Sequence, residues 1–353
     1  MNPSLNGRAR VYYVYKVQHT EEDVLEEATS IRFKYVPIEQ TEQVLHDKHL
    51  MALIDFKKQS RIASDDPRRI TVGLAPLEPD SQMMAIFSRE IPSFGIEGDV
   101  NYSCNSEAMF GYILLNEGDY EDIYTIAKNG YDSIVRAIKK LGFPELVRVW
   151  NFLPEINQEI ADMERYRSFC TGRYETLISI EGVNEFPAAS AIGSHGSGVL
   201  ITFLAAKQAG LQVENPRQES AFKYPKQYGP TSPSFSRATL KSWGQEQHLY
   251  ISGTASIVGY ESKHCGDTLA QLKETLKNLE SLIENCKTMT DIQVGRLKDL
   301  SLVTVYLRHE ADYPMVKQHL DSVFDHTVPI IYLNGDICRK DLSLEVEAIY
   351  MGP

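Results

Sequence analysis

No stretch of the 353-residue chain approaches the roughly 18 uncharged apolar positions that a membrane-spanning helix requires, so no membrane partner is expected. Cysteine is sparse. Cys104, Cys170, Cys265, Cys286 and Cys338 are scattered, odd in number and free of C-x-x-C spacing. This argues against a disulfide framework or a thiolate zinc site and fits a reducing cytoplasm. Positive charge is in deficit: 36 Lys and Arg stand against 48 Asp and Glu, a formal net charge of −12 with no basic block to offset it. Such a field repels phosphate backbones, so nucleic acid is a poor partner. An anionic small molecule is still compatible, because a pocket needs only a few local arginines. The N-terminus, Met1-Asn2-Pro3-Ser4 followed by Arg8-Ala9-Arg10, lacks an apolar signal core and a small-residue cleavage site, so export is not expected.

The common cofactor signatures are also missing. Neither a G-x-S-x-G elbow nor a dinucleotide fingerprint occurs. Gly193-Ser-His-Gly-Ser-Gly198 is glycine-rich, but no Lys-Ser/Thr pair follows it and it leads into a strand, so it reads as a turn. His46 and His49 have no second ligand cluster nearby and H-E-x-x-H is absent, so no metal centre and no cofactor are expected.

What the chain does contain is the composition of a globular protein, with 42% hydrophobic and 24% charged residues and a length that favours two domains over one. In the second half, His248–Val258 reads as a strand. Asp267–Cys286 reads as an amphipathic helix, with Leu269, Leu272, Leu276, Leu279 and Leu282 at steps of three and four. A strand at Leu302–Leu307, a helix at Tyr313–Phe324, a strand at Ile330–Leu333 and an alternating strand at Leu342–Tyr350 follow. The first half runs similarly: strand Met109–Leu115, helix Tyr120–Lys140, strand Val147–Leu153, helix Pro154 to about Phe169, strand Gly198–Ala206. Val147 and Val149 match Val303 and Val305 at an offset of about 156 residues. This order predicts an α+β fold of two tandem sandwich units, each a mixed sheet with helices on one face. The division falls near Gly210–Pro216, giving domains 1–212 and 213–353. A ligand site is expected where sheets or domains meet.

Three segments are candidates for chemistry. Asn215–Arg237 packs Pro216, Pro225, Pro230 and Pro233 with Arg217, Arg237, Tyr224 and Tyr228. It reads either as a linker whose arginines face water or as a rigid loop offering guanidinium and phenol groups to carboxylates. Ser252-Gly-Thr-Ala-Ser256 places small residues in a β-branched strand, which fits a bulge, tight packing or a close approach by another group. In Leu344-Glu-Val-Glu347 the two glutamates share one strand face and Leu344 and Val346 the other. The acidic face is either solvated or, if buried, presents Glu345 as a carboxyl that stays protonated and acts as a general acid.

Several longer motifs occur in one order: PAASAIG, VENPRQESAFKYPKQYGPTSPSFSRA, YISGTASIVGYES and CGDTLAQLKETLKNLESL. From about Arg165 onward the chain resembles the chorismatases. Its closing stretch, VTVYLRHEADYPMV then ICRKDLSLEVEAI, resembles the end of RidA/YjgF proteins, of chorismate mutase-like fold. The resemblance implies two RidA-like halves, the more divergent one N-terminal, and a cofactor-independent enzyme that removes the enolpyruvyl group of chorismate as pyruvate. It implies Glu345 as the acid, and Arg237, Tyr224 and Arg173, with Arg217 in addition, as groups that bind carboxylate. Cys338 and Gly253 match the branches that form an aromatic hydroxybenzoate, Cys338 as the group that assists ring opening; the hydrolytic branch tends to have alanine in place of Gly253. Those two positions favour 3-hydroxybenzoate; a mixed 3-/4-hydroxybenzoate former, a dihydroxycyclohexadienoate former, or a RidA-like deaminase or metabolite-binding protein are the other readings. In the last of these Arg339 holds a carboxylate. Tyr260 departs from the histidine expected in the I-V-G-x-E-S motif.

Overall fold

The computed structural model describes residues 31–62, 66–180 and 185–353. The Arg8–Arg10 stretch and the short run after it lie outside these residues. Strand β1 (Ile31–Pro37) is followed by a short helix α1 (Thr41–Leu45), β2 (Leu50–Phe56), β3 (Arg61–Ile62), β4 (Arg69–Val72), β5 (Ala75–Pro76) and β6 (Gln82–Ser88). Five of these strands form a sheet in the order β1-β6-β2-β4-β3. This sheet was not read from the sequence. All seven residues of β2, LMALIDF, are buried, so the strand shows none of the alternation that marks a half-exposed one.

Two seven-stranded sheets make up the remainder. The first uses β7 (Ser93–Glu97), β8 (Val100–Cys104), β9 (Ala108–Leu115), helix α2 (Ile123–Leu141) and β10 (Glu145–Pro154). A small hairpin, β11 (Glu159–Ile160) and β12 (Met163–Glu164), precedes helix α3 (Arg165–Ile178), β13 (Ala188–Ser194) and β14 (Val199–Ala206). The second uses β15 (Leu211–Val213), β16 (Ala238–Trp243), β17 (Glu246–Thr254), a hairpin of β18 (Ile257–Val258) and β19 (Glu261–Ser262), and helix α4 (Thr268–Met289). The chain continues with β20 (Leu302–Leu307), helix α5 (Tyr313–Phe324), β21 (Ile330–Asn334), β22 (Asp336–Ile337), which joins the first sheet, and β23 (Leu344–Gly352).

The strand orders are β22-β13-β10-β14-β9-β8-β7 and β5-β21-β20-β23-β17-β16-β15. Set end to end, they have the same topology. β10 pairs parallel with β13 and antiparallel with β14, as β20 does with β21 and β23. The repeat expected from the order of elements is therefore present in the α+β fold. Each sheet also borrows a two-residue strand at the same end: β22 joins the first sheet and β5 the second. The helix expected over Pro154 to Phe169 is displaced to Arg165–Ile178. Glu155, Ala161 and Asp162 have φ of 51°, 49° and 62°, left-handed positions that no α-helix accommodates.

Each unit stacks its two helices on one sheet face. Leu272, Leu276, Leu279 and Leu282 of α4 pack with Leu344, Val346, Val303 and Val305. Ile126, Ile134 and Ile138 of α2 pack with Val149, Leu153 and Ile201. The faces without helices meet in a shared core that also takes in Ile31, Phe33 and Tyr35 of the five-stranded sheet, with Trp150, Tyr250 and Tyr306. The period-two alternation of β23 follows: Leu344 and Val346 point to helices, Glu345 and Glu347 to the junction of the sheets. No helix among the described residues is long and apolar enough to cross a membrane.

Candidate active site

Glu345 and Glu347 are 4% and 5% exposed; the acidic face of β23 is an interior face. The two carboxyls differ in their partners. Glu347 accepts from Arg148 (2.6 Å) and Ser190 Oγ (2.6 Å) at Oε2, and from Tyr306 (2.8 Å) and Trp150 (3.0 Å) at Oε1. Among the described residues the Glu345 carboxyl has no hydrogen-bond donor. Burial, joined by the charge of Glu347 and opposed by Arg148 and Arg237, pushes Glu345 up to about 8. It therefore carries a proton at neutral pH.

Gly253 lies against this carboxyl. The ladder between β17 and β23 shifts register between Ile251 and Thr254, a bulge that places Ser252 and Gly253 at the junction of the sheets. Gly253 N–H donates to Ser190 Oγ (2.9 Å). A Cβ built on Gly253 falls inside the contact radius of Glu345 Oε1 and 2.6 Å from its Cδ. Ser252 joins the two sheets, accepting from Ala189 N (2.8 Å) and donating to Ser236 O (2.6 Å). The small-residue signal thus reflects both a bulge and a close approach.

The proline-rich segment wraps this position with two short 3-10 turns at Ala221–Lys223 and Lys226–Tyr228. Arg237, 3% exposed, donates through Nη2 to Tyr224 Oη (2.7 Å) and Glu219 O (2.7 Å). Its buried Nε has no partner. Because Tyr224 accepts from Arg237, its own hydroxyl proton is free for a ligand. Arg173 of α3, also 3% exposed, stands 5.3 Å over the Tyr131 ring with Nε and Nη2 unpartnered. Arg339 stacks 4.1 Å over Tyr228 and 5.3 Å over Tyr224, and donates to Tyr260 O (2.8 Å). Tyr260 is itself exposed and packs edge-on against Tyr228 outside the cavity lining. Glu345, Cys338, Arg237, Tyr224, Arg173 and Gly253 line one cavity that, with its mouth, holds about 780 Å³. Four arginines (Arg167, Arg173, Arg237, Arg339) face two glutamates there, Glu164 and Glu345. The site is thus locally cationic in an acidic protein.

Cys338 is half-buried at the end of β22, and burial beside Glu345 pushes its thiol well above the ordinary range, so it stays a neutral S–H. Arg217 does not join the site. It faces α4 instead, donating to Asn278 Oδ1 (2.6 Å) and pairing with Glu274. That pair pins the segment to the helix and corrects the expectation of a ligand contact. The sequence reading missed Arg148 and Ser190. Arg148, 1% exposed within the largely apolar run LVRVWNFL, was the signal available, since a charge inside a strand of that kind needs a buried partner. His46 and His49 bond to backbone carbonyls, of Glu42 and Ser88. No group of three metal-ligating side chains occurs among the described residues.

Residues 87–205 match the family described as chorismatase FkbO/Hyg5-like, N-terminal, which extends the likeness upstream of the motifs read from the sequence. The chain is 37% identical over 238 residues to a 3-hydroxybenzoate synthase of Streptomyces hygroscopicus, covering 65% of this chain and 70% of that one. The chain belongs to the chorismatase family. It is 35% identical to a chorismatase of Streptomyces rapamycinicus over 72% of this chain and 78% of that one. A crystal structure of a chorismatase superposes with a TM-score of 0.81 at 29% identity, covering 91% of this chain and 98% of the other. The chain is thus an enzyme of the chorismatase family, and its α+β fold is that of the superposed chorismatase.

Proposed function

We propose that this chorismatase cleaves chorismate to pyruvate and 3-hydroxybenzoate without a cofactor. The observation that carries the reading is Glu345: a buried carboxyl without a donor, pushed up to about 8, in a cavity with arginines on its walls. An enol ether breaks once its terminal methylene is protonated, because the carbon bearing oxygen becomes an oxocarbenium ion. A carboxylic acid that holds its proton at pH 7 supplies that step. Arg237 with Tyr224, and Arg173, bind the ring and enolpyruvyl carboxylates through their unpartnered donors.

After protonation the ether C–O bond breaks and its electron pair stays on oxygen, which leaves as the ketone of pyruvate. The neighbouring ring hydroxyl closes on the vacated carbon and returns its proton to Glu345, giving an epoxide-like intermediate. Cys338, a neutral thiol, then protonates the opening oxygen and is restored by the ring proton lost on aromatisation. Water is neither consumed nor released. The resemblance at Cys338 and Gly253 supports the 3-hydroxybenzoate outcome over the hydrolytic one. Glu345→Gln tests the acid: turnover should fall by at least about 10³-fold with the fold intact. Near-normal activity would reassign it.

A further inference from the structure

We propose that Glu347, held by Arg148, Ser190, Trp150 and Tyr306, is a positioning residue that keeps the proton on Glu345 by presenting a fixed negative charge on the same strand face. The inference rests on the reading of Glu345 as the acid and deepens it.

The two carboxyls are separated by one residue on β23, a spacing of about 7 Å along an extended strand. Of the two, only Glu347 receives hydrogen bonds among the described residues. Arg148 Nη2 lies 2.6 Å from Glu347 Oε2 and 2.5 Å from Ser190 Oγ. The single hydroxyl proton of Ser190 goes to Glu347, and its lone pairs take Arg148 and the Gly253 N–H. Ser190 lines the cavity beside Glu345 yet has no proton left to give it. Glu347 thereby takes the donors of the network and Glu345 is left as the member that holds a proton, the pattern expected when environments push two carboxyls apart.

The unit is also braced from the third sheet. Tyr35 of the five-stranded sheet bonds to Thr304 Oγ1 (2.8 Å) and Val303 O (3.0 Å). With Arg148, Trp150, Thr304 and Glu347 it lines a small pocket at the far end of the network. An ion pair serving only to join the sheets would be indifferent to which carboxyl holds a proton.

Other charges bear on Glu345. From β10 comes Arg148, and from the proline-rich segment Arg237 with Tyr224. Near β22 lie Cys338 and Arg339; Arg173 and Arg167 of α3, with Glu164 and Tyr166, complete the wall. Of the two charges in the pair, that of Glu347 acts on Glu345 more strongly than that of Arg148.

The test is the pH dependence of kcat/KM for chorismate in wild type, Glu347→Gln and Arg148→Met/Glu347→Gln. In Glu347→Gln the alkaline limb should move down by about 1 to 2 pH units, with activity below pH 6 kept within about tenfold. The double variant removes both charges of the pair together and serves if the single one does not fold; its limb should move the same way by a smaller amount. A limb at the wild-type position in every variant that folds would overturn the proposal. The titration of Glu345 is also read without turnover, from the pH dependence of the difference in unfolding free energy between each protein and its Glu345→Gln counterpart. If Glu345→Gln still turns over, the acid has been misassigned, and that second readout still decides whether Glu347 controls the proton.

Discussion

Gly253→Ala puts one methyl group where the Glu345 carboxyl now lies. The new Cβ would be 2.6 Å from Cδ and 3.0 Å from Ser190 Oγ, whereas ordinary contact begins at 3.4 Å. Ser190 is held by Arg148, Glu347 and the Gly253 amide, so the carboxyl is the part that moves. Clearing Cδ alone takes about 1 Å, and a misplacement of that size at a reacting group costs on the order of 10²-fold in rate. The acid then meets the enolpyruvyl arm from another position, and alanine is what the hydrolytic branch tends to carry there. We expect kcat/KM for pyruvate release to fall about 10²-fold and the aromatic fraction of the product to drop in favour of dihydroxycyclohexadienoate. The assay couples pyruvate to lactate dehydrogenase and resolves the ring products by chromatography. Wild-type rate with unchanged 3-hydroxybenzoate would refute the claim that this glycine makes room for the acid.

Further expectations follow from the same geometry. The alkaline limb of kcat/KM in the wild type should lie near pH 8, where Glu345, pushed up to about 8 by burial, loses its proton; a limb below pH 6 would contradict this. Because the folded state holds a proton that the unfolded chain releases near pH 4.5, Glu345 makes stability fall as pH rises between about 4.5 and 8, by about 1.4 kcal/mol per unit. Glu345→Gln should abolish that slope and be the more stable protein at pH 8 in chemical denaturation; equal slopes would show that the group does not titrate there. Cys338→Ala should retain pyruvate release and lose aromatic product, read on the same chromatogram. Arg217→Met should lower Tm by about 2–4 °C with KM nearly unchanged, whereas Arg237→Lys, which loses the planar fork, should raise KM at least about tenfold; the reverse ranking would return Arg217 to the site.

Local pattern carried much of the second unit. The leucines of α4 sit on one stripe because one face of that helix meets a sheet, and such a stripe is visible without knowing the partner. One other element was not visible and one was misplaced. Strand β13, AASAIGS, has few of the β-branched and aromatic residues that mark strands, because it packs closely between sheets. Helix α3 buries Arg165 and Arg173, so its buried face is not an apolar stripe. In the site, the type and place of Glu345 followed from alternation, but its burial did not. That depends on two sheets meeting face to face, which brings Arg148 to Glu347 across 199 positions of chain. Arg217 and Arg237 carry the same local signal, and only the course of the proline-rich segment over α4 separates an anchoring arginine from a cavity arginine.

The central claim is that the buried carboxyl in this cavity releases pyruvate from chorismate. Incubating the purified protein with chorismate, without added metal or nucleotide, and quantifying pyruvate alongside the ring products tests it most directly. Pyruvate and 3-hydroxybenzoate in equal amounts, both lost in Glu345→Gln, are expected; chorismate recovered intact with no pyruvate would contradict the account.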